Sequence, residues 1–315
     1  MRARVMKAAR ELGYTPNGIA RSLITRRSHS VAVLISNLTN LYYPEVLSEL
    51  SQRFSAQGIR VLLFTLPHES DVDRMLDQVW QYRVDGVVAA ARLSSAQVAG
   101  FEERGVPLVF YNRSLGDSLV NAVCCDQIEG ARMLTSRLFA AGHRRFGMIG
   151  GPPDSAVGEE RTHASLGRLA ELGLDRVPVV RGNYDYESGA RGLHEITRML
   201  GGPPEAVICA NDVMAIGCID ASRYDLRLAV PKQISVVGFD GVAPSTWRSY
   251  DLTTMRQPVQ RMAEAAVSLL LSCIGERSRP PERRVFAGVL VEGSSARLGP
   301  AAVRPTSKAA GSLLA

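Results

Sequence analysis

The chain has 315 residues, of which 46% are hydrophobic, 22% charged and 6% aromatic, a balance that excludes disordered, collagen-like and mucin-like proteins and leaves room for about two globular domains. Its net charge of +6 is carried by the first thirty residues, where Arg2, Arg4, Lys7, Arg10, Arg21, Arg26 and Arg27 face the single acid Glu11; the other 285 residues are balanced. A basic arm on a neutral globule points to a polyanion met by the arm alone.

In chain order, Val5, Ala8, Ala9 and Leu12 recur at helical spacing with Arg4, Lys7, Arg10 and Glu11 around the other side, and Gly13 supplies the stop. Thr15-Pro16 then opens a second short helix, weakened by Gly18. Two helical turns are marginal in water, so this segment is expected to fold on a partner. Ile19 and Leu23 lie four apart on one face beside Arg21 and Arg26, which suits an apolar wedge in a DNA minor groove with arginines on phosphates. The N-terminus carries no signal-peptide core and no run of 18 apolar residues occurs, so the expectation is a cytoplasmic protein without a membrane partner.

From Ser30 short β-branched runs alternate with amphipathic stretches. The predicted strands are Val31 to Ile35, Ile59 to Thr65, Gly86 to Ala90, Pro107 to Tyr111, Phe146 to Ile149, Val177 to Val180, Ala206 to Cys209 and Ile234 to Phe239. Predicted helices lie near 44–57, 70–83, 95–104, 127–141, 159–173, 186–200, 211–223 and 258–274, with Gly58, Gly105, Gly142 and Gly173 as left-handed stops. The pattern predicts an α/β fold of two doubly wound parallel-sheet lobes that hold a ligand between them at the carboxyl ends of the strands. The expected division is 30–150 plus about 258–283 for the first lobe and 151–257 plus about 284–297 for the second. An amphipathic basic segment (1–14) and a short second helix with linker (15–29), which the resemblance given below makes a headpiece remnant and a hinge helix, precede them, and a disordered tail (298–315) follows.

Polar and aromatic residues gather at the predicted strand ends: Asn40, Tyr42 and Tyr43 after the first strand, Asn112 and Arg113 after the fourth, and Arg161 on the following lobe's first helix. Tyr184, Asn211 and Asp240 follow later strands, and Gln257 stands at a crossover. Such groups satisfy buried hydroxyls and stack on flat sugar faces. Taken singly, each also fits a loop cap. Chemistry of an enzyme is not written here: the chain has no G-x-G, Gly-Lys, HExxH or GxSxG. The five histidines have no metal spacing, His163 alone could border the ligand, and His143 reads as structural. Five cysteines without a CxxC read as reduced, buried thiols, and no cofactor or metal is expected.

The run Arg4 to Leu23, followed by Arg27-Ser28-His29-Ser30-Val31, resembles the junction of headpiece, hinge helix and core in the LacI/GalR family of bacterial transcription regulators. The resemblance continues through Asn40-Leu41-Tyr42-Tyr43, Val84-Asp85-Gly86, Gly142-His143-Arg144-Arg145, the stretch from Cys209 to Gly217, Val237-Gly238-Phe239-Asp240, and Leu252-Thr253-Thr254 with Gln257-Pro258. It implies a periplasmic-binding-protein-like core of type I and a ligand-responsive repressor that works as a homodimer on palindromic operator DNA. By the same resemblance Arg161, Tyr184, Asn211, Asp240 and Gln257 match ligand positions, Ser155 and Val157 stand where the family varies with its ligand, and Asn17, Ile19, Arg21 and Leu23 belong to the DNA-binding hinge, Leu23 as its inserted leucine. Family members carry a helix-turn-helix ahead of this point, and a start assigned too far downstream is the expected reason that the sequence given opens after it. The alternative reading is a headless or periplasmic-type sugar-binding protein without DNA binding.

Overall fold

The computed structural model describes Glu11, residues 27–36, Leu38, 40–66, 72–113, Leu115, 118–276 and 279–300. Asn17, Ile19, Arg21 and Leu23, and with them the expected hinge helix, lie outside the described residues.

The described chain forms two units, each with a six-stranded sheet. The first unit begins with strand β1 (Ser30–Ser36), helix α1 (Tyr42–Ala56), β2 (Arg60–Leu66), α2 (Val72–Gln81), β3 (Gly86–Ala90), α3 (Ser95–Glu103), β4 (Leu108–Tyr111) and β5 (Ala122–Cys125). The second continues with α4 (Gln127–Ala140), β6 (Phe146–Gly150), α5 (Ala156–Glu171), β7 (Val179–Arg181), α6 (Tyr186–Leu200), β8 (Ala206–Cys209), α7 (Asp212–Asp220), β9 (Ser235–Asp240) and β10 (Thr253–Arg256). The chain then returns to the first unit as α8 (Val259–Gly275) and β11 (Arg283–Phe286), and ends in the second with β12 (Val289–Val291).

In the first sheet all strands run parallel in the order β11-β5-β4-β3-β1-β2. In the second the order is β12-β10-β9-β8-β6-β7, with only β12 antiparallel. Inner strands of such sheets are covered on both faces, which is why β1, β3, β6, β8 and β9 are buried from end to end. The four glycines expected as helix stops all take positive φ, from +61° at Gly105 to +95° at Gly142. This is the type I periplasmic-binding-protein-like fold.

The structure moves the domain boundary. The chain leaves the first unit at Cys125, not at Gly150, crosses back after Gln257, and crosses again after Phe286, not near 283. Helix α4 packs on α5, and β6 is bonded to β7 and β8, so both belong to the second unit. Strand–helix alternation runs unbroken through the crossover, and periodicity therefore gives no sign of it. The expected tail also begins too early: Leu298 packs against the second core, and Gly299 donates its N–H to the Arg137 carbonyl and accepts from the Arg137 guanidinium, while 301–315 lie outside the described residues. Four short strands, β5, β10, β11 and β12, were not among the predicted runs; each has only three or four residues. Among the described residues no helix is long and apolar enough to cross a membrane.

Candidate effector-binding site

In the second unit two of the predicted ligand residues join Arg161 in one buried network, Asp240 directly and Gln257 through Asp240. Arg161, in the second turn of α5, donates through Nε to Gln127 Oε1 at 2.8 Å, through Nη1 to the Ala210 carbonyl at 2.6 Å and through Nη2 to Asp240 Oδ1 at 2.9 Å. Its plane lies 3.8 Å from the ring centre of Phe239. Gln257 Nε2 donates to the same Asp240 oxygen at 2.8 Å, and Gln127 Nε2 reaches Gln257 Oε1 at 3.4 Å. The side chains of the Arg161–Asp240 pair are only 4% and 2% exposed. A buried pair is tolerable only when hydrogen bonds surround both partners, as they do here. Removing one partner of such a pair leaves an uncompensated charge.

The fold gives each member its place. Ala210, Asp240 and Gln257 follow or end β8, β9 and β10, so they share the carboxyl edge of the second sheet, where open α/β sheets bind ligands. Gln127 reaches them from the first turn of α4 and Arg161 from the second turn of α5. Asn211 caps α7 by accepting the Met214 N–H at 3.0 Å, while its amide donates to the Tyr184 carbonyl at 3.3 Å. Tyr184 has φ +61° and is buried, with its hydroxyl 2.7 Å from Ser155 Oγ, its ring and hydroxyl against Gly151 and its hydroxyl against Gly158, where a Cβ would collide with it. Ser155 in turn caps α5 through the Gly158 N–H. Thus Tyr184 and Ser155 brace one another at the edge of the Arg161 cluster.

Asp212 is the residue that sequence reasoning missed. It opens α7, is fully buried, and accepts from the Gly241 N–H at 2.7 Å, the Val242 N–H at 2.8 Å and the Thr254 hydroxyl at 2.5 Å. Burial, with the charge of Asp240 adding to it, pushes its carboxyl up to about 8, against the pull of its three donors. Gln127 and Phe239 were missed too. The only available signal was their position beside strand or helix ends, which any loop residue shares.

In the first unit a second polar group forms at the ends of β1 and β4. The amide of Asn112 donates to the Tyr42 hydroxyl at 2.9 Å and its carbonyl accepts the Cys125 N–H at 2.8 Å. Arg113 donates to the Tyr43 hydroxyl at 3.0 Å, and the two tyrosine rings meet edge to face at 5.4 Å. Asn112 holds φ +52°, a conformation asparagine accepts more readily than most residues. Asn40 accepts the Tyr42 N–H at 3.3 Å in the turn that starts α1. His163 stands on the surface, 3.8 Å from Glu159. His143 is buried beside Phe146, with Nε2 donating to the Arg297 carbonyl at 3.3 Å, and burial holds its pKa below the usual imidazole value.

A model of periplasmic binding protein-like domains matches residues 135–296. The chain is 31% identical over 306 residues to the HTH-type transcriptional repressor PurR of Yersinia enterocolitica serotype O:8 / biotype 1B, covering 95% of this chain and 89% of that protein. Among solved structures, the complex of the transcriptional regulator CelR with cellobiose superposes with a TM-score of 0.78 at 28% identity, over 93% of this chain and 90% of the other. The Lac repressor dimer bound to operator and the anti-inducer ONPF shares the fold with a TM-score of 0.84 at 23% identity, over 93% and 89%. These similar proteins are regulators and not enzymes, their likeness runs over nearly the whole chain and so takes in both units, and the chain therefore belongs to the LacI/GalR family of ligand-responsive transcriptional regulators.

Proposed function

We propose that the chain is a repressor whose effector is a sugar or a related polyhydroxy metabolite, and that the Arg161 cluster recognises it. The observation that carries this reading is the convergence of Arg161, Asp240, Gln257 and Gln127 on one buried network at the carboxyl edge of the second sheet. Fork-shaped donors and a carboxylate in a dry setting pair with the adjacent hydroxyls of a sugar, and each hydroxyl left unpaired costs about 1–3 kcal/mol, which makes such a site selective. Asn211 and Tyr184 belong to the same set. On the first unit, Asn40, Tyr42, Tyr43 and Asn112 offer aromatic plates and amides of the kind that hold sugar faces. Cellobiose in the complex of the similar CelR supports the choice of ligand class.

The partner at the other end is operator DNA, met by the basic arm through Asn17, Ile19, Arg21 and Leu23, in a cytoplasmic protein. Effector and DNA are coupled because the effector favours one conformational state over another, and its influence on DNA affinity equals that differential affinity.

The working form is a homodimer. Two exposed apolar surfaces support this: the edge strand β2 with Leu63 and nearby Tyr82, and a second-unit patch with Tyr224 and Trp247, 74% and 58% exposed. Within that patch Tyr186 and Tyr250 both donate to Asp220 Oδ2, at 2.9 and 3.0 Å, which holds the rings in place.

The test of the effector site is calorimetric titration of a sugar hit into wild type, Arg161→Ala and Asp240→Ala. Loss of binding in both folded variants supports the assignment, and unchanged affinity refutes it. Sedimentation of wild type and Trp247→Glu tests the dimer: the variant is expected to sediment as a monomer at concentrations where wild type does not.

A further inference from the structure

The segment that leads into β1 is tied down before the strand begins. The Ser28 N–H donates to Asp85 Oδ1 at 2.8 Å, the Ser28 hydroxyl to the same oxygen at 3.1 Å, and the His29 N–H to Oδ2 at 2.9 Å. From the other side Arg60 gives its backbone N–H to the His29 carbonyl at 2.9 Å and its guanidinium to the Ser28 carbonyl at 3.4 Å. The Asp85 N–H closes the set on the Ser30 carbonyl at 2.8 Å. Arg60 opens β2 and Asp85 precedes β3, the two strands that flank β1. Residues 28–30 are therefore gripped by both neighbours of the strand they enter.

This grip holds an unfavourable conformation. His29 has φ +50°, a sparsely populated region for a histidine that persists where surrounding bonds over-determine it. The carboxylate accepts two successive backbone N–H groups across that bend, and such charge-assisted bonds are about twice as strong as neutral ones. Asp85 is itself fixed, because a Cβ on the following Gly86 would press on Leu270 at 2.9 Å, so α8 packs directly on the backbone there.

We propose that Asp85 is a positioning residue for the root of the amino-terminal arm: its carboxylate fixes the direction in which the chain runs through Ser28 and His29 into the first sheet, and DNA affinity depends on that fixed root. The carboxylate acts through Ser28 and His29 and touches no effector residue named above. Its importance for DNA binding rests on the reading of the arm as a DNA-binding element; the anchoring itself does not.

The experiment is limited trypsin digestion of the full chain, following cleavage after Arg27 by intact mass, together with amide hydrogen exchange. Where opening precedes cleavage, the rate tracks the population of the open root. Asp85→Ala should raise the rate about tenfold or more, Asp85→Asn less, and Ser28→Ala about two- to threefold, since each removes fewer of the bonds. Exchange of the Ser28 and His29 amides should quicken while Val33 and Val88, inside β1 and β3, stay protected. Equal cleavage in all four proteins, or loss of protection at Val33 and Val88 as large as at Ser28, overturns the proposal. In a parallel gel shift, on a duplex selected in vitro by the wild type, Asp85→Ala should bind about tenfold more weakly; equal binding limits the anchor to a structural role and refutes its part in DNA affinity. A wild type that selects no duplex counts against the DNA-binding reading, and the digestion still decides the anchor.

Discussion

The carboxylate of Asp212 accepts the backbone N–H of Gly241 at 2.7 Å. Asp240, the preceding residue, sits at φ +115° and Gly241 at +74°, so the chain turns sharply just where the site carboxylate must face Arg161. Asp212 supports that bend from beneath, and a side chain on Gly241 would strike Arg256. The Arg161–Asp240 cluster is thus held from outside by a second buried acid.

Breaking the Arg161–Asp240 pair should be costly even without ligand. Arg161→Ala leaves Asp240 as a buried charge with one donor fewer, and a loss of about 3–5 kcal/mol is expected. Arg161→Lys should recover little of it, because an ammonium cannot span Gln127, the Ala210 carbonyl and Asp240 together. Urea denaturation of the three proteins measures both effects.

Asp212 should leave a signature in the pH dependence of stability. Its carboxyl titrates near the ordinary 3.8 in the unfolded chain and at about 8 in the fold, so between those values only the folded state keeps the proton. Stability from this group is complete below pH 4 and is lost as the pH rises toward 8. Asp212→Asn should remove that slope, flattening the denaturation midpoint against pH over this window; a parallel slope in the variant would contradict the assignment.

Helices α6 and α7 cross with their backbones in direct contact. A Cβ on Gly189 would collide with the Met214 carbonyl, and one on Gly217 with the Tyr186 carbonyl. Backbone cannot swing aside as a side chain can, so Gly189→Ala and Gly217→Ala should each cost more than the roughly 1–3 kcal/mol typical of overpacking. Gly167, with nothing near its Cβ position on α5, is the control: alanine there should stabilise by about 0.5–1 kcal/mol. Thermal melts of the three variants check the order.

Much of this architecture was legible in the residues. Val31 to Ile35 and Ala206 to Cys209 read as buried strands because they are short, β-branched and bounded by turns, and α6 was expected at 186–200, where it lies. Asp240, Gln257 and Asn211 stood out by their place at predicted strand ends, which a loop cap would share, and it was the family resemblance that raised them and Arg161, on its helix, as ligand positions. The crossover after Cys125 was hidden, since it is a choice of sheet and not a change of pattern. Asp212 was hidden for a related reason: in Asn211-Asp212 the capping asparagine accounts for the local helix start, and only the return of β9 and β10 reveals what the aspartate holds. The end of α7 shows the limit at finer scale, where 221–225 continue as a wider π turn that helical periodicity does not distinguish.

Recognition of a small polar metabolite by the Arg161–Asp240 cluster, as proposed, is put to the sharpest test by differential scanning fluorimetry. Wild type and Asp240→Ala are melted against sugars, sugar acids, sugar phosphates and nucleobases, the last because amides and guanidinium also pair with the edges of a base. Ligand that binds only the native state raises the midpoint by mass action. At least one sugar or related polyhydroxy compound is expected to raise the wild-type midpoint in a dose-dependent way and to leave Asp240→Ala unmoved. An equal shift in both proteins, or no shift of the wild type by any of these compounds, would contradict it.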